Sequence, residues 1–207
     1  MIPLFVDCSG KRIVIFGGGE VASRKAAYFS READVLVVSR SFSSKMSALP
    51  VEQKVLDVST VPDEEIAGII NQAFLVIGTF PHPGLNNRIG GICKDHRILF
   101  NNADGEAGDV IIPSMTGGNN YLLAISTRGN SPAVSRFIRE QIETHYPALD
   151  DMVALQRDLR EQLKHREPSR SRRNAILREV LNDSAIWEIL KKDPDRVRQQ
   201  LKERYFQ

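Results

Sequence analysis

Three consecutive glycines, Gly17–Gly19, place the tightest constraint on the fold of this chain. They lie within IVIFGGGEVASRKAAYF, residues 13–29, between a run of branched apolar residues and a segment with helical spacing. Glycine weakens the interior of a helix or strand, and it suits positions where the backbone turns tightly or approaches another group closely. The stretch therefore predicts a buried strand, a tight turn and a helix.

Strand and helix signals alternate on either side of this turn. Short apolar runs of strand length lie at 12–16, 34–38, 52–56, 73–78 and 97–100. Segments with helical spacing lie between them, at 20–31, 62–71 and 84–95. Apolar strands that alternate with helices pair in parallel and are covered by helices on both faces. We predict an α/β fold with a Rossmann-like parallel sheet.

The pattern changes from residue 109. DVIIPS at 109–114 and YLLAIST at 121–127 predict two strands with no helix between them, joined through the turn-forming GGNN at 117–120. Ser131 then predicts the N-cap of a helix whose first residue is Pro132, because both residue types are favoured at those positions.

The last part of the chain has helical spacing alone. HYPALDD brings a proline and a change of composition, which predicts a boundary near 147–150. Further on, breaks between helices are predicted near Pro168 and at Asp193-Pro194.

Composition argues against several classes of protein. The net charge of +2 is too small to predict binding to nucleic acid, and the apolar runs fall far short of the roughly 18–20 residues that span a bilayer. The start of the chain lacks the basic region of a signal peptide, and Cys8 and Cys93 stand alone. We expect a cytoplasmic protein with no membrane segment.

The glycine turn carries the first functional motif. Gly17, Gly19 and Ala22 form G-x-G-x-x-A directly after the first strand and at the start of a helix. In that context the first glycine permits the turn, the second lets the backbone approach a pyrophosphate, and the third position packs the helix against the sheet. The motif predicts dinucleotide binding, and the alternative is a tight turn with no ligand.

The end of the second strand departs from the usual NAD fingerprint. That position normally carries an acidic residue for the ribose hydroxyls, whereas this chain has Ser39, Arg40 and Ser41. Arg40 suits the 2′-phosphate of NADP and is equally explained as a solvated loop residue. The residues themselves leave NAD and NADP both open.

A second cluster follows the last strand of the sheet. Asn101, Asn102 and Asp104 follow a strand predicted to end near Phe100. Ligands of open parallel sheets bind outside the carboxyl ends of the strands, so we expect Asp104 on the same side as the glycine turn. A carboxylate there can accept a proton. The alternative is an ordinary Asp-Gly turn.

Three motifs together resemble one known family. GGGEVASRK, NNAD followed by IIPS, and ISTRGNSPAVSRFIRE are similar to segments of the precorrin-2 dehydrogenases, which include the N-terminal module of bacterial sirohaem synthase. The resemblance covers about residues 1–150 with specific motifs, and the rest by length and helical texture. It implies a homodimer that oxidises precorrin-2 to sirohydrochlorin with NAD, and it leaves open whether the chain also inserts iron.

The resemblance also implies roles for individual residues. Those that it places beside the cofactor are Gly17, Gly19, Glu20, Val21, Ser41, Phe42 and Thr79, and the end of the second strand adds Ser39 and Arg40. Asp104 matches the aspartate that the family uses for dehydrogenation. Residues expected to contact the substrate are Asn102, Ser126, Arg128 and Ser131. For Arg128, a solvated cation at a strand end is an equal alternative.

Two segments depart from the family pattern. FPHPGL at 80–85 carries prolines where acidic residues are usual, and the loop from Asp104 to Pro113 is one residue short.

No metal site is predicted, because the four histidines are scattered without metal-ligand spacing.

Taken with the resemblance, the pattern predicts three domains. A Rossmann dinucleotide-binding domain covers 1–113, a dimerisation region 114–149 and a helical domain 150–207. The alternative function is a non-catalytic module that senses NAD(H) through its Rossmann half.

Overall fold

The computed structural model describes residues 1–104 and 107–206. The chain forms two compact units, Met1–Ile112 and Pro113–Gln207. The second unit contains both of the segments predicted as separate domains, 114–149 and 150–207, and their separation stays a prediction.

A five-stranded parallel sheet is the centre of the first unit. Its strands are β1 (Arg12–Phe16), β2 (Asp34–Ser39), β3 (Glu52–Val55), β4 (Leu75–Gly78) and β5 (Leu99–Asn102), in the order β3-β2-β1-β4-β5. The helices are α1 (Glu20–Phe29), α2 (Asp63–Ile70) and α3 (Pro83–Asp95), with a 3₁₀ turn at Met46–Ala48. The predicted α/β fold with a parallel sheet is confirmed.

The sheet is buried on both faces because alternate residues of each strand point to opposite sides. Ile13 and Ile15 of β1 pack in a core with α1, whereas Val14 and Phe16 pack in a core with α2 and α3. All four side chains are fully buried. One expectation needs correction: β3 is exposed along its whole length, because it lies at the edge of the sheet.

The strand register brings the carboxyl ends of the strands to one edge. Phe16 of β1 pairs with Val38 of β2 and with Gly78 of β4, and Gly78 pairs with Asn102 of β5. The residues that follow these strands therefore leave the sheet side by side, as a parallel topology requires. Every candidate site residue of the first unit comes from this edge or from the helix that follows it.

The second unit begins with a two-stranded antiparallel sheet, β6 (Ser114–Gly117) and β7 (Leu122–Ile125). The strand predicted over 109–114 is wrong, since only Ser114 belongs to a strand. The residues before Ser114 form irregular hydrogen bonds with β5, such as that from Val110 N to Phe100 O at 3.1 Å. Pro113 has no N–H with which to continue a ladder of strand hydrogen bonds.

Five helices complete the second unit. They are α4 (Pro132–His145), α5 (Leu149–Arg166), α6 (Arg170–Asn182), α7 (Ser184–Leu190) and α8 (Pro194–Tyr205). Ser131 caps α4 as predicted, since its side chain accepts a hydrogen bond from Val134 N. The predicted breaks at Pro168 and Asp193-Pro194 are present, and Asp183 adds a further break by capping α7.

The last four helices share one apolar core. On α5 the buried side chains are Met152, Leu155, Leu159 and Leu163, and they pack against residues of α6, α7 and α8. Their spacing of three and four residues places them on one face of the helix. Within the described residues, none of the helices is both long and apolar enough to cross a membrane.

Candidate cofactor site and candidate active site

The glycine turn is packed tightly between the ends of its two neighbouring strands. Gly17 has φ +117°, a region that favours glycine. A Cβ atom on Gly17 would collide with Thr79 Oγ1, and one on Gly18 would collide with the carbonyl oxygen of Ser41. Both positions therefore require glycine for steric reasons, whether or not a ligand binds.

Gly19 is different, because a Cβ atom there would meet nothing within 4 Å. It is the N-cap residue of α1 and provides no side chain to cap the helix. The first N–H groups of a helix have no partner within it, and the helix dipole favours an anion at this end. Space and open donors at Gly19 thus fit the pyrophosphate of a dinucleotide.

A cavity of about 640 Å³ opens beside this turn. That volume is in the range of small-molecule sites. The predicted cofactor residues that line it are Gly17, Gly19, Ser39, Arg40, Ser41, Phe42 and Thr79. Glu20 and Val21 are not among the lining residues: Glu20 forms an ion pair with Lys45 at 2.8 Å, and Val21 is partly exposed on α1.

Sequence reasoning missed the part of the cavity wall that follows β3. Leu56, Asp57, Val58 and Ser59 line the cavity beside the end of β2. Asp57 Oδ1 accepts hydrogen bonds from Ser59 N at 2.9 Å and from Ser59 Oγ at 2.6 Å. These two hydrogen bonds lower the pKa of Asp57, and the bond from the Ser59 side chain has the larger effect. A polar Asp-x-Ser segment directly after a strand was the available signal.

Asp104 follows β5 at the same edge of the sheet and is exposed. Its main chain is held on both sides: Asp104 N donates to Asn102 Oδ1 at 3.2 Å, and Asp104 O accepts from Asn86 Nδ2 at 2.9 Å. The Asn102 side chain, predicted to contact substrate, thus shapes the loop that carries Asp104. It also donates to Asn87 Oδ1 of α3 at 3.1 Å.

Asn86 connects the Asp104 loop with the cavity wall. This α3 side chain is completely buried. Besides its bond to Asp104 O, it accepts from Phe80 N at 3.0 Å and donates to Phe80 O at 2.9 Å. Phe80 lines the cavity. The sequence analysis missed Asn86, because an asparagine within a helix carries no functional signal by itself.

A lysine supports the strand that leads to Asp104. Lys25 Nζ of α1 donates to Asn101 Oδ1 at 3.0 Å, and Asn101 Nδ2 donates to Val110 O at 2.7 Å. Burial, together with the nearby positive charge of Arg24, lowers the pKa of Lys25 to about 8. Asn101 therefore connects α1 to the segment that follows the Asp104 loop.

The remaining predicted residues form a turn in the second unit. Ser126 Oγ accepts from Arg128 N at 3.0 Å, and Ser131 N donates to Thr127 Oγ1 at 3.0 Å. Arg128 has φ +56° and is exposed. Arg136 of α4 pairs with Glu140 on the same helix.

No group of three or more His, Cys, Asp or Glu side chains suited to a metal ion occurs in residues 1–104 and 107–206.

The parallel sheet, the glycine turn and the cavity beside it define the first unit as a dinucleotide-binding domain of the Rossmann type.

Comparisons with known proteins agree with that class. A family model described as "Putative NAD(P)-binding" matches residues 4–114. Precorrin-2 dehydrogenase of Methanosarcina barkeri (strain Fusaro) is 42% identical over 191 residues, which cover 90% of this chain and 85% of that protein. Siroheme synthase of Neisseria meningitidis serogroup C is 29% identical over 189 residues, 90% of this chain and 37% of that protein.

A solved structure shares the fold of the whole chain. SirC, a precorrin-2 dehydrogenase, superposes with a TM-score of 0.72 at 22% identity, covering 98% of this chain and 100% of that one. From the matches in sequence, the chain belongs to the precorrin-2 dehydrogenase family. The family suggested by the three sequence motifs is confirmed.

Replacing Gly19 with alanine tests the pyrophosphate site. The Gly19→Ala variant should fold with a stability close to that of the wild type, because the added methyl group has free space. Its affinity for NAD⁺ should fall by at least about tenfold, since the methyl group occupies the space where the backbone would approach the phosphates. Thermal unfolding and titration calorimetry measure the two effects.

Gly91→Ala is the matched control, because a Cβ atom at Gly91 also meets nothing within 4 Å and Gly91 lies on α3 outside the cavity lining. It should bind NAD⁺ like the wild type. Wild-type affinity in a folded Gly19→Ala variant would contradict the assignment.

Burial of Lys25 predicts a pH dependence of stability. Lysine in an unfolded chain keeps its proton up to about pH 10.4, whereas Lys25 in the folded chain releases it at about pH 8. Between these values the unfolded state binds more protons, so this group makes the free energy of unfolding rise with pH. Wild type should therefore gain stability relative to Lys25→Met between about pH 7.5 and 9.5.

Urea unfolding at both pH values measures the difference. Lys94→Met is the control, since Lys94 is exposed on the same unit, and its difference from the wild type should stay nearly constant. A Lys25→Met difference that does not change with pH would refute the assignment of a depressed pKa.

Proposed function

We propose that this chain oxidises precorrin-2 to sirohydrochlorin, with NAD as the hydride acceptor. The observation that carries the proposal is the meeting of two features at one sheet edge. The dinucleotide cavity lies there, and Asn86 joins its wall to the loop that carries Asp104. The identity of 42% to a precorrin-2 dehydrogenase over most of both chains indicates the substrate.

The residues of the cavity suit different parts of the cofactor. Gly17 permits the tight turn and Gly19 leaves the backbone accessible for the pyrophosphate, and the N-terminus of α1, where Glu20 and Val21 lie, provides unpaired N–H groups. Ser39 ends β2 and Arg40, Ser41 and Phe42 follow it, where a Rossmann domain holds the adenosine. Thr79 follows β4, on the side of Asp104. When bound, NAD⁺ supplies the capacity to accept a hydride.

Asp104 is proposed as the proton acceptor. Conversion of precorrin-2 to sirohydrochlorin removes one hydride and one proton, so that a base is needed beside the hydride acceptor. The Asp104 carboxyl is exposed, whereas both main-chain polar groups of the residue are held by asparagine side chains. A fixed backbone with an accessible carboxylate suits a general base, because proton transfer requires a defined position.

The substrate is a polycarboxylate, so cations and hydrogen-bond donors should bind it. Arg128 is proposed as one such cation, and its exposed guanidinium and constrained backbone support that role. Asn102, Ser126 and Ser131 are proposed as further contacts. Each of them also shapes a turn through its own hydrogen bonds.

The direct test is an assay with purified protein, NAD⁺ and enzymatically made precorrin-2. Sirohydrochlorin and NADH, each followed by its absorbance, should form together and in equal amounts. Binding of NAD⁺ without oxidation would refute the proposal and favour the alternative of a non-catalytic NAD(H)-sensing module. Addition of Fe²⁺ after oxidation shows in the same cuvette whether the product is also metallated.

Substitution of the proposed base gives a sharper prediction. Asp104→Asn should lower kcat by about 10²–10⁴-fold, the usual contribution of general base catalysis, while the Kd for NAD⁺ stays near the wild-type value. Stopped-flow turnover and calorimetry measure the two quantities. Asp95→Asn, an exposed carboxylate at the far end of α3, is the control and should leave both unchanged. Full turnover by folded Asp104→Asn would exclude Asp104 as the base.

We also propose that the chain is a homodimer formed through 114–149. On α4, Val134, Phe137 and Ile138 are 46%, 59% and 39% exposed, a cluster of apolar side chains that supports a contact surface. Phe137→Glu should therefore convert a dimer to a monomer in analytical ultracentrifugation. Gln200→Glu places the same charge on an exposed residue of α8 and should leave the dimer intact. A wild-type monomer at micromolar concentration would contradict the proposal.

A cytoplasmic location is proposed as well. Cys8 and Cys93 are both free thiols, and reduced cysteines are typical of proteins in the cytosol. Fractionation of cells that produce the chain, with activity followed in each fraction, tests this.

A further inference from the structure

The end of β2 determines whether a Rossmann domain takes NAD or NADP. An acidic residue at this position accepts hydrogen bonds from the 2′-hydroxyl of NAD, whereas an arginine accommodates the 2′-phosphate of NADP. Arg40 follows directly after β2 in this chain and lines the cavity. Judged from β2 alone, the site would favour NADP.

The structure places a carboxylate opposite this arginine. Asp57, two residues after the end of β3, lines the same cavity, and its Oδ2 lies 3.6 Å from Arg40 Nη1. β3 is the direct neighbour of β2, and Ser39 pairs with Val55. Residues 40 and 57 therefore leave adjacent strands at nearly the same level of the sheet.

Ser59 fixes the orientation of this carboxylate. Both hydrogen bonds from Ser59 go to Oδ1 of Asp57, and the other oxygen, Oδ2, is the one that faces Arg40. The carboxylate is consequently held by its own turn and does not depend on Arg40 for its position. Its second oxygen is therefore positioned for the ion pair with Arg40.

We propose that Asp57 is the residue that makes the site selective for NAD over NADP. This inference rests on the proposed function. Asp57 takes the place of the acidic residue that β2 lacks, and it acts in two ways. Its carboxylate neutralises the charge of Arg40, and it repels a 2′-phosphate that approaches the same corner of the cavity.

The charges of the cavity support this selectivity. Among the described residues that line the cavity, the only Lys, Arg, Asp or Glu side chains are Arg40 and Asp57. Their opposite formal charges cancel. A 2′-phosphate brings nearly two negative charges, and it would find no net positive charge in the wall to offset their desolvation. NAD has a neutral hydroxyl at that position and meets no such cost.

The test is direct binding of NAD⁺ and NADP⁺ to purified Asp57→Asn, measured by titration calorimetry. Asparagine keeps an Oδ1 acceptor for Ser59 and removes the negative charge, so the turn should persist. Wild type should prefer NAD⁺. In Asp57→Asn the ratio of the two dissociation constants should move toward NADP⁺ by at least about tenfold, because Arg40 is then free to bind the phosphate. The gain in relative affinity for NADP⁺ should shrink as the salt concentration is raised.

Two further variants make the result specific. Glu64→Gln removes the same charge from an exposed residue of α2 outside the cavity lining, and it should leave the ratio unchanged. Arg40→Gln should move the ratio the other way, further toward NAD⁺, because Asp57 is then unopposed. Arg40 is largely exposed, so Arg40→Gln also tests the proposal if Asp57→Asn does not fold.

The outcomes separate this inference from the proposed function. If wild type binds NAD⁺ and folded Asp57→Asn keeps the wild-type ratio, Asp57 does not determine selectivity and the proposed function is untouched. If Arg40→Gln lowers the preference for NAD⁺, the inference is equally overturned. A wild type that binds neither nucleotide overturns both.

Discussion

The whole site depends on how closely the glycine turn packs between the ends of β2 and β4. Phe16 O accepts hydrogen bonds from both Thr79 N and Thr79 Oγ1, at 2.9 and 2.8 Å. On the other side, Gly17 N donates to Val38 O at 2.9 Å. No side chain fits between these strands. Positions 17 and 18 must therefore be glycine, and together with Gly19 they form one wall of the cavity.

A second constraint acts at the other end of the sheet edge. Asn86 is a completely buried amide whose three described hydrogen bonds all go to main-chain groups. A buried polar group without partners costs about 1–3 kcal/mol, so the backbones of Phe80 and Asp104 are held in place by the same side chain. A shift of the cavity wall would therefore move the proposed base. This link makes the position of Asp104 a property of the fold rather than of a loop.

The sequence predicted those parts of the fold that depend on local pattern. Apolar strands β1, β2 and β4 and the helix cap at Ser131 follow from period and residue type, and all are present. The strand expected at 109–114 was wrong because its apolar residues pack irregularly beside β5. Asp57 could not be identified from one strand, since its proximity to Arg40 follows from the strand order β3-β2-β1-β4-β5.

That same strand order separates the Arg40–Asp57 pair from Asp104 along the edge of the sheet. Adjacent strands lie about 4.8 Å apart, so about 14 Å separates the end of β2 from the end of β5. The opposite charges of Arg40 and Asp57 lie at the first position, the glycine turn comes next, and Asp104 lies at the last. The proposed roles in cofactor choice and proton transfer therefore lie at opposite ends of one edge. If the proposed roles hold, a change of charge at the β2–β3 end would alter which nucleotide binds, while Asp104 keeps its hydrogen bonds to Asn86 and Asn102.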